Sequence, residues 1–109
     1  MFGRSMLISL AILAAFPLLA EAQPLEPAAQ RGRTLLQAHC ARCHSIDVVG
    51  DSPLKIAPPF RTLHQKYPID TLQNALAEGI ITGHPTMPEF SFDPGQVNDI
   101  LAYLKTLER

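Results

Sequence analysis

No run of alternating apolar and polar residues marks a strand anywhere in this 109-residue chain, so nothing argues for a sheet. Long apolar runs are also lacking. The apolar run from Leu7 to Ala20 (LISLAILAAFPLLA) carries no charge but is about 14 residues, against the roughly 20 that a spanning helix needs, and Pro17 interrupts it. Neither sign of charge is in excess: 9 Lys and Arg stand against 10 Asp and Glu, for a net charge of −1. A basic stripe is missing, which sets nucleic acid aside as a partner. Cysteine occurs twice, only within Cys40-Ala41-Arg42-Cys43-His44, and methionine three times, at Met1, Met6 and Met87.

The N-terminal stretch has a character of its own. Arg4 is the single charge before Leu7, and Ala20-Glu21-Ala22 supplies a small-x-small site after the apolar run. This pattern reads as an export signal, residues 1–22, cut after Ala22 to leave residues 23–109 as one domain. The other readings are an uncleaved anchor and a buried N-terminal helix. No cysteine lies near the cut, so a lipid-anchored form is not expected. Arg4 and Glu21 leave together, so the net charge is unchanged. So short a domain buries only a modest core, and small exported domains often need a covalent or metal staple.

After a short leader at residues 23–26, the pattern is helical. Pro27 to His39 (PAAQRGRTLLQAH) begins with proline at a first-turn position and aligns Ala28, Gly32, Leu35, Leu36 and His39 on one face. Gly32 is out of place there. Glycine costs about 1 kcal/mol against alanine inside a helix, so it argues for a close approach to the backbone. Gly50, Pro53, Pro58 and Pro59 make residues 45–59 a loop. Phe60 to Tyr67 is expected as a short helix with Phe60, Leu63 and Tyr67 on one side. Asp70 to Glu78 is expected as another, which Gly79 ends. Residues 80–92 return to loop. The last helix has the fullest signature: Asp93 as cap, Pro94 in the first turn, Gln96 completing a capping box, and Phe92 and Val97 as a hydrophobic staple. Val97, Ile100, Leu101, Leu104 and Leu107 then form one stripe. The fold class is all-α, with three or four short helices and long proline-rich loops that need internal support.

C-x-x-C-H is the attachment signature of c-type haem. Cysteines at i and i+3 lie on one side of a helical turn, where two thiols reach the two vinyl groups of one porphyrin edge and form thioethers. The histidine that follows aims its imidazole at the iron. Two other chemistries use similar residues. A redox C-x-x-C pair expects a βαβ frame, which the pattern lacks. A zinc site could combine Cys40, Cys43 and His44 with His39, His64 or His84, although adjacent Cys43 and His44 are awkward for one tetrahedral ion. The other axial position of a haem iron takes histidine or methionine, or stays open. Met87 is the only methionine beyond the signal. It sits between Pro85 and Pro88 and outside any helical stripe, which favours a ligand over core filler. His84, three residues earlier, is the competitor.

Together these residues resemble the class I c-type cytochromes over essentially all of residues 23–109. The likeness rests on Gly32 and Leu36 ahead of Cys40-x-x-Cys43-His44, on Pro58 and Phe60, on Met87-Pro88, and on Ile100, Tyr103 and Leu104 in the last helix. It implies the cytochrome c fold, with the N- and C-terminal helices crossing at Gly32 and the loops wrapped around one covalently bound haem c. It implies that Cys40 and Cys43 tether the haem and that His44 and Met87 bind the iron. The Pro58 carbonyl would accept a hydrogen bond from His44, with Pro59 as the alternative. Two features depart from the family. No tryptophan is present to bind a propionate, which leaves Arg61 and Tyr67 as candidates, and the lysine-rich face of some members is missing.

The function implied is an exported monohaem electron carrier, cycling Fe(III)/Fe(II) between a donor reductase or dehydrogenase and a terminal acceptor. It would have no catalytic residue of its own. It would be a monomer in the periplasm of a Gram-negative source, meeting redox proteins transiently and with no stable membrane insertion after signal cleavage. The alternatives are a haem c acceptor subunit of a periplasmic dehydrogenase complex and a ligand-binding haem sensor with a labile Met87.

Overall fold

The computed structural model describes residues 3, 6–15, 24–79 and 87–109. Among these the only regular structure is helical: α1 at Pro27–His39, α2 at Gln73–Glu78 and α3 at Pro94–Thr106, with 3₁₀ helices at Phe60–Gln65 and Ile69–Leu72. Residues 6–15 form no helix, and no helix among the described residues is long and apolar enough to cross a membrane. The expected signal cut at Ala20-Glu21-Ala22 lies outside the described residues.

Local chemistry explains both long helices. In α1, proline occupies a first-turn position, where its missing N–H costs nothing, and a run of good helix formers follows. In α3, the Gln96 N–H donates to Asp93 Oδ1 at 2.8 Å and the Asp93 N–H donates to Gln96 Oε1 at 3.1 Å. That is the expected capping box, and it satisfies two donors at the helix start. Phe92 and Val97, the staple pair, are both buried, as is the whole stripe from Val97 to Leu107.

The two terminal helices cross in direct contact. The crossing is a backbone contact at Gly32: a Cβ there would overlap the Asp99 carbonyl oxygen outright and fall 2.5 Å from its carbon. Leu36, Val97 and Ile100 fill the seam beside it and are the most deeply buried large side chains. Asp99 is held from its other end as well. Arg31 grips its carboxylate in a bidentate pair, Nε to Oδ2 at 2.9 Å and Nη2 to Oδ1 at 3.1 Å. The Arg31 side chain is 62% exposed, so solvent screens this pair and it orients more than it stabilises.

The buried face of α1 differs from the expected one. Ala29, Gly32 and Leu36 are buried, while Ala28 and Leu35 are half-buried and His39 is exposed. The stripe is centred on Gly32, and positions three before and four after it flank the contact, so Ala29 rather than Ala28 meets α3. The short helices also differ in kind. Phe60 to Tyr67 forms a 3₁₀ helix that stops at Gln65, leaving Tyr67 exposed, and the Asp70–Glu78 helix divides into a 3₁₀ turn and α2. One arrangement recurs in both 3₁₀ segments. The Pro59 carbonyl accepts the Thr62 N–H at 3.0 Å and the Thr62 hydroxyl at 2.7 Å; the Pro68 carbonyl accepts the same two groups of Thr71 at 3.0 and 2.6 Å. A threonine three residues after a proline fills that carbonyl and favours the tighter i to i+3 turn. Gly79 ends α2 with φ +99°, and the Phe92 N–H then donates to the Leu76 carbonyl at 3.0 Å, docking the approach to α3 onto α2.

The segment just after the cysteine motif is tied to both terminal helices. Tyr103 on α3 donates its buried hydroxyl to the Ile46 carbonyl at 2.6 Å, and Arg33 on α1 pairs with Asp47 at 2.9 Å. Burial pushes the Tyr103 phenol up from its ordinary value, and Asp47 pushes the same way.

Two outcomes follow for denaturation of the haem-loaded protein. Gly32→Ala is expected to cost about 3 kcal/mol or more, because backbone cannot rotate away from the new methyl group; this outweighs a helix-propensity gain of about 1 kcal/mol. A midpoint shift towards higher urea would show the crossing to be looser than described. Tyr103→Phe is expected to cost about 1–3 kcal/mol at neutral pH by depriving the Ile46 carbonyl of its donor. The raised phenol adds a pH signature. The folded state binds that proton more tightly than the unfolded state. Its share of stability is complete below the ordinary tyrosine value, about 10, and is lost as pH climbs through the folded one. The phenylalanine variant lacks that alkaline loss.

Candidate functional site

The cysteine motif is an extension of α1. The Cys40 and Ala41 N–H groups both donate to the Leu36 carbonyl, at 2.8 and 3.0 Å, closing the helix. One further turn follows, with the N–H groups of Cys43 and His44 donating to the Cys40 carbonyl at 3.2 and 3.0 Å. That turn carries both thiols and the imidazole out of the helix end within five residues. Both cysteines are free thiols and half-buried. Cys40 and Ala41 pack against the hydrophobic core. Burial pushes the Cys40 thiol up to about 11, and the neighbouring Cys43 adds to the shift. Redox C-x-x-C pairs need the opposite, a lowered thiol pKa. The environment therefore favours a tethering role over disulfide exchange.

His44 is oriented by the loop that returns to it. Its Nδ1 lies 2.8 Å from the Pro58 carbonyl oxygen. A carbonyl only accepts, so Nδ1 carries the proton and Nε2 keeps a free lone pair, the arrangement that a metal-binding imidazole requires. The Phe60 ring lies over the imidazole with centroids 4.6 Å apart and planes tilted by 32°. Of the two prolines at the end of this loop, Pro58 takes the histidine, while the Pro59 carbonyl is occupied by Thr62.

Hydrogen bonds across the loop hold it shut. The Leu54 N–H donates to the Cys43 carbonyl at 3.1 Å, the Ser45 N–H to Ser52 Oγ at 2.9 Å, and the Phe60 N–H to the Ser45 carbonyl at 2.9 Å. These bonds were invisible in the sequence, where Gly50, Pro53, Pro58 and Pro59 marked the stretch only as a loop. Of the two propionate candidates, Tyr67 is exposed, and Arg61 turns inwards to donate to the Gly50 carbonyl at 2.7 Å.

The second ligand candidate is less fully placed. Met87 is half-buried, on the approach to α3. Its competitor His84 and the flanking Pro85 lie outside the described residues. For zinc, no group of three or more His, Cys, Asp or Glu side chains that could hold a metal occurs among the described residues. His39 instead sets its ring edge-on against Phe92 at 5.4 Å. The donor set fits haem c better: two free thiols on one turn and an imidazole held by a carbonyl. Leu54 and Ile56, between Cys43 and Pro58, stay 37% and 71% exposed.

Comparison with known proteins agrees with this geometry. The family model described as cytochrome c matches residues 29–108, from the first turn of α1 to beyond the end of α3. A cytochrome c-553-like protein of a Synechocystis species is 34% identical over 92 residues, covering 84% of this chain and 80% of that protein. No solved structure matches the chain significantly.

Attachment through both thiols has a direct chemical check. The haem-loaded protein, denatured, is expected to give no free-thiol titre, and acidified organic solvent is expected to extract no haem. Cys43→Ala leaves one bond and a changed pyridine haemochrome, and the Cys40→Ala, Cys43→Ala double variant releases its haem to the solvent. A titre of two thiols in the native chain would remove the tethering role.

Proposed function

The chain belongs to the cytochrome c family, and from that premise we propose that it is an exported carrier of single electrons with His44 and Met87 as the axial ligands. Haem c, bound covalently through Cys40 and Cys43, supplies a one-electron Fe(III)/Fe(II) couple. The observation that carries the reading is the 2.8 Å contact between His44 Nδ1 and the Pro58 carbonyl, which leaves Nε2 free. The polypeptide's task is then to hold the site still. The turn after α1 anchors both thioether positions, and Pro58 and Phe60 fix the imidazole's tautomer and plane. Little rearrangement on oxidation or reduction is what a carrier needs.

Met87 is supported by its half-burial, by Pro88 after it and by its place ahead of the α3 crossing. A thioether opposite imidazole raises the reduction potential relative to two imidazoles. With both positions filled by His44 and Met87, small ligands would be excluded from the iron. A net charge of −1 gives weak long-range steering, which suits brief encounters with redox partners by a monomer. Export rests on the N-terminal pattern, with Gln23 as the first residue after the cut and the periplasm as the destination in a Gram-negative cell.

Optical spectroscopy of the matured protein tests this. The oxidised form is expected to show the weak red band of iron–methionine coordination. Met87→Ala abolishes that band and opens the reduced iron to carbon monoxide, while His84→Ala leaves it intact. Survival of the band in Met87→Ala would transfer the ligand role elsewhere, and carbon monoxide binding by the unaltered reduced protein would sink the carrier reading. Co-purification with a larger flavin or quinone enzyme would identify a complex subunit instead.

A further inference from the structure

Arg61 stands beside the site without belonging to the ligand set. It lies on the 3₁₀ helix that begins at Phe60, just after Pro58; these two residues touch His44 through a ring and a carbonyl. Its guanidinium is half-buried and points back across the loop. Nη1 donates to the Gly50 carbonyl at 2.7 Å and approaches Ser45 Oγ at 3.4 Å. Gly50 has φ +98°, a left-handed backbone that turns the loop tip, so its carbonyl is presented by a strained-for-others conformation rather than by a side chain. Ser45 follows His44 directly, is itself buried, and receives the Phe60 N–H on its carbonyl at 2.9 Å. Arg61 is thus the side chain that joins the loop's outgoing limb, at residues 45 and 50, to its returning limb at 58–61. Arg61 also lines a shallow depression with Val48, Thr62, His64, Gln65, Leu107 and Arg109, none of which has a carboxylate side chain.

We infer that Arg61 is a positioning residue: it clamps the 45–61 loop and thereby holds the Pro58 carbonyl on His44 Nδ1. A cationic donor on a neutral carbonyl makes a charge-assisted bond, stronger than the backbone bonds around it. Among the described residues no carboxylate side chain pairs with it, so its charge is directed at the loop. The consequence reaches the iron through the imidazole. When the Pro58 carbonyl stays in line, the Nδ1–H bond keeps the ring's donor strength and plane constant; when the loop opens, both vary. This inference rests on His44 being an axial ligand.

The test uses the haem-loaded protein and reads the His44 ring N–H by NMR in the reduced state. Arg61→Ala is expected to speed solvent exchange of that proton by about tenfold or more, the order of a lost charge-assisted bond, with the iron–methionine band retained. Arg61→Lys, which keeps one cationic donor, restores most of the protection. Asp93→Ala is the stability control: it loosens the remote start of α3 and is expected to leave the His44 exchange rate unchanged at the same temperature. Three results would overturn the inference. Exchange in Arg61→Ala could equal the unaltered protein's, Asp93→Ala could accelerate it equally, or Arg61→Ala could act only by shifting the pH dependence of the reduction potential, the mark of a propionate partner. Failure of the ligand assignment shows separately, because the unaltered protein would then lack the iron-bound histidine signals before any variant is compared.

Discussion

The rest of the molecule depends on one backbone contact, Gly32 of α1 against the Asp99 carbonyl of α3. Two helices that touch through a residue without a Cβ sit closer than side-chain packing allows. At that distance Leu36, Val97 and Ile100 become fully enclosed, although the whole domain has few large side chains to bury. The contact also sets where α1 ends in space. Because the cysteine turn is an uninterrupted extension of that helix, the crossing places both thiols and His44 relative to α3. Tyr103 and Arg33 then fasten the next residues, Ile46 and Asp47, to the same two helices. The functional turn is therefore braced on both sides by the helix pair.

Much of this was legible in advance, for identifiable reasons. α3 carries its start in its own side chains, and the bonds Asp93 and Gln96 were expected to make are the ones they make. Gly32 was readable because it violates local propensity, and a violated preference points to a tertiary reason. What escaped prediction is equally specific. The choice of Ala29 over Ala28 depends on how α1 is rotated about its axis, which two adjacent alanines do not encode. The 3₁₀ character of Phe60–Gln65 depends on a threonine hydroxyl three residues after a proline, a signal that apolar periodicity does not register. At the site, the motif announced its own residues and the Pro58 contact had been foreseen as one of two options. The clasp formed by Ser45, Ser52, Gly50 and Arg61 had not, because polar residues in a loop look the same whether they bond each other or water.

The site shows how a small domain divides labour between adjacent residues. Pro58 and Pro59 each present a carbonyl with a different duty, one to the imidazole and one to the turn that follows. Neither proline has an N–H to satisfy, so the pair passes through this crowded point with two acceptors and no donors. Phe60, next in line, turns its ring to the imidazole and its N–H to Ser45. Pro58 and Phe60 thus support the histidine through a carbonyl, a ring and a loop closure, while Pro59 between them starts the next turn. That density is what lets a domain of modest core keep one side chain fixed.

The spacing of these contacts has a topological consequence. His44 meets Pro58 across 14 residues, whereas Arg31 meets Asp99 across 68. Loop-closure entropy grows with the logarithm of length, so bringing the terminal helices together costs about 1.4 kcal/mol more than closing the histidine loop. The entropically cheap contact is the one that shapes the site, and the expensive one is the one that locks the chain ends. A lesion in the helix crossing therefore releases the costlier closure and, with it, the brace on the residues next to the histidine.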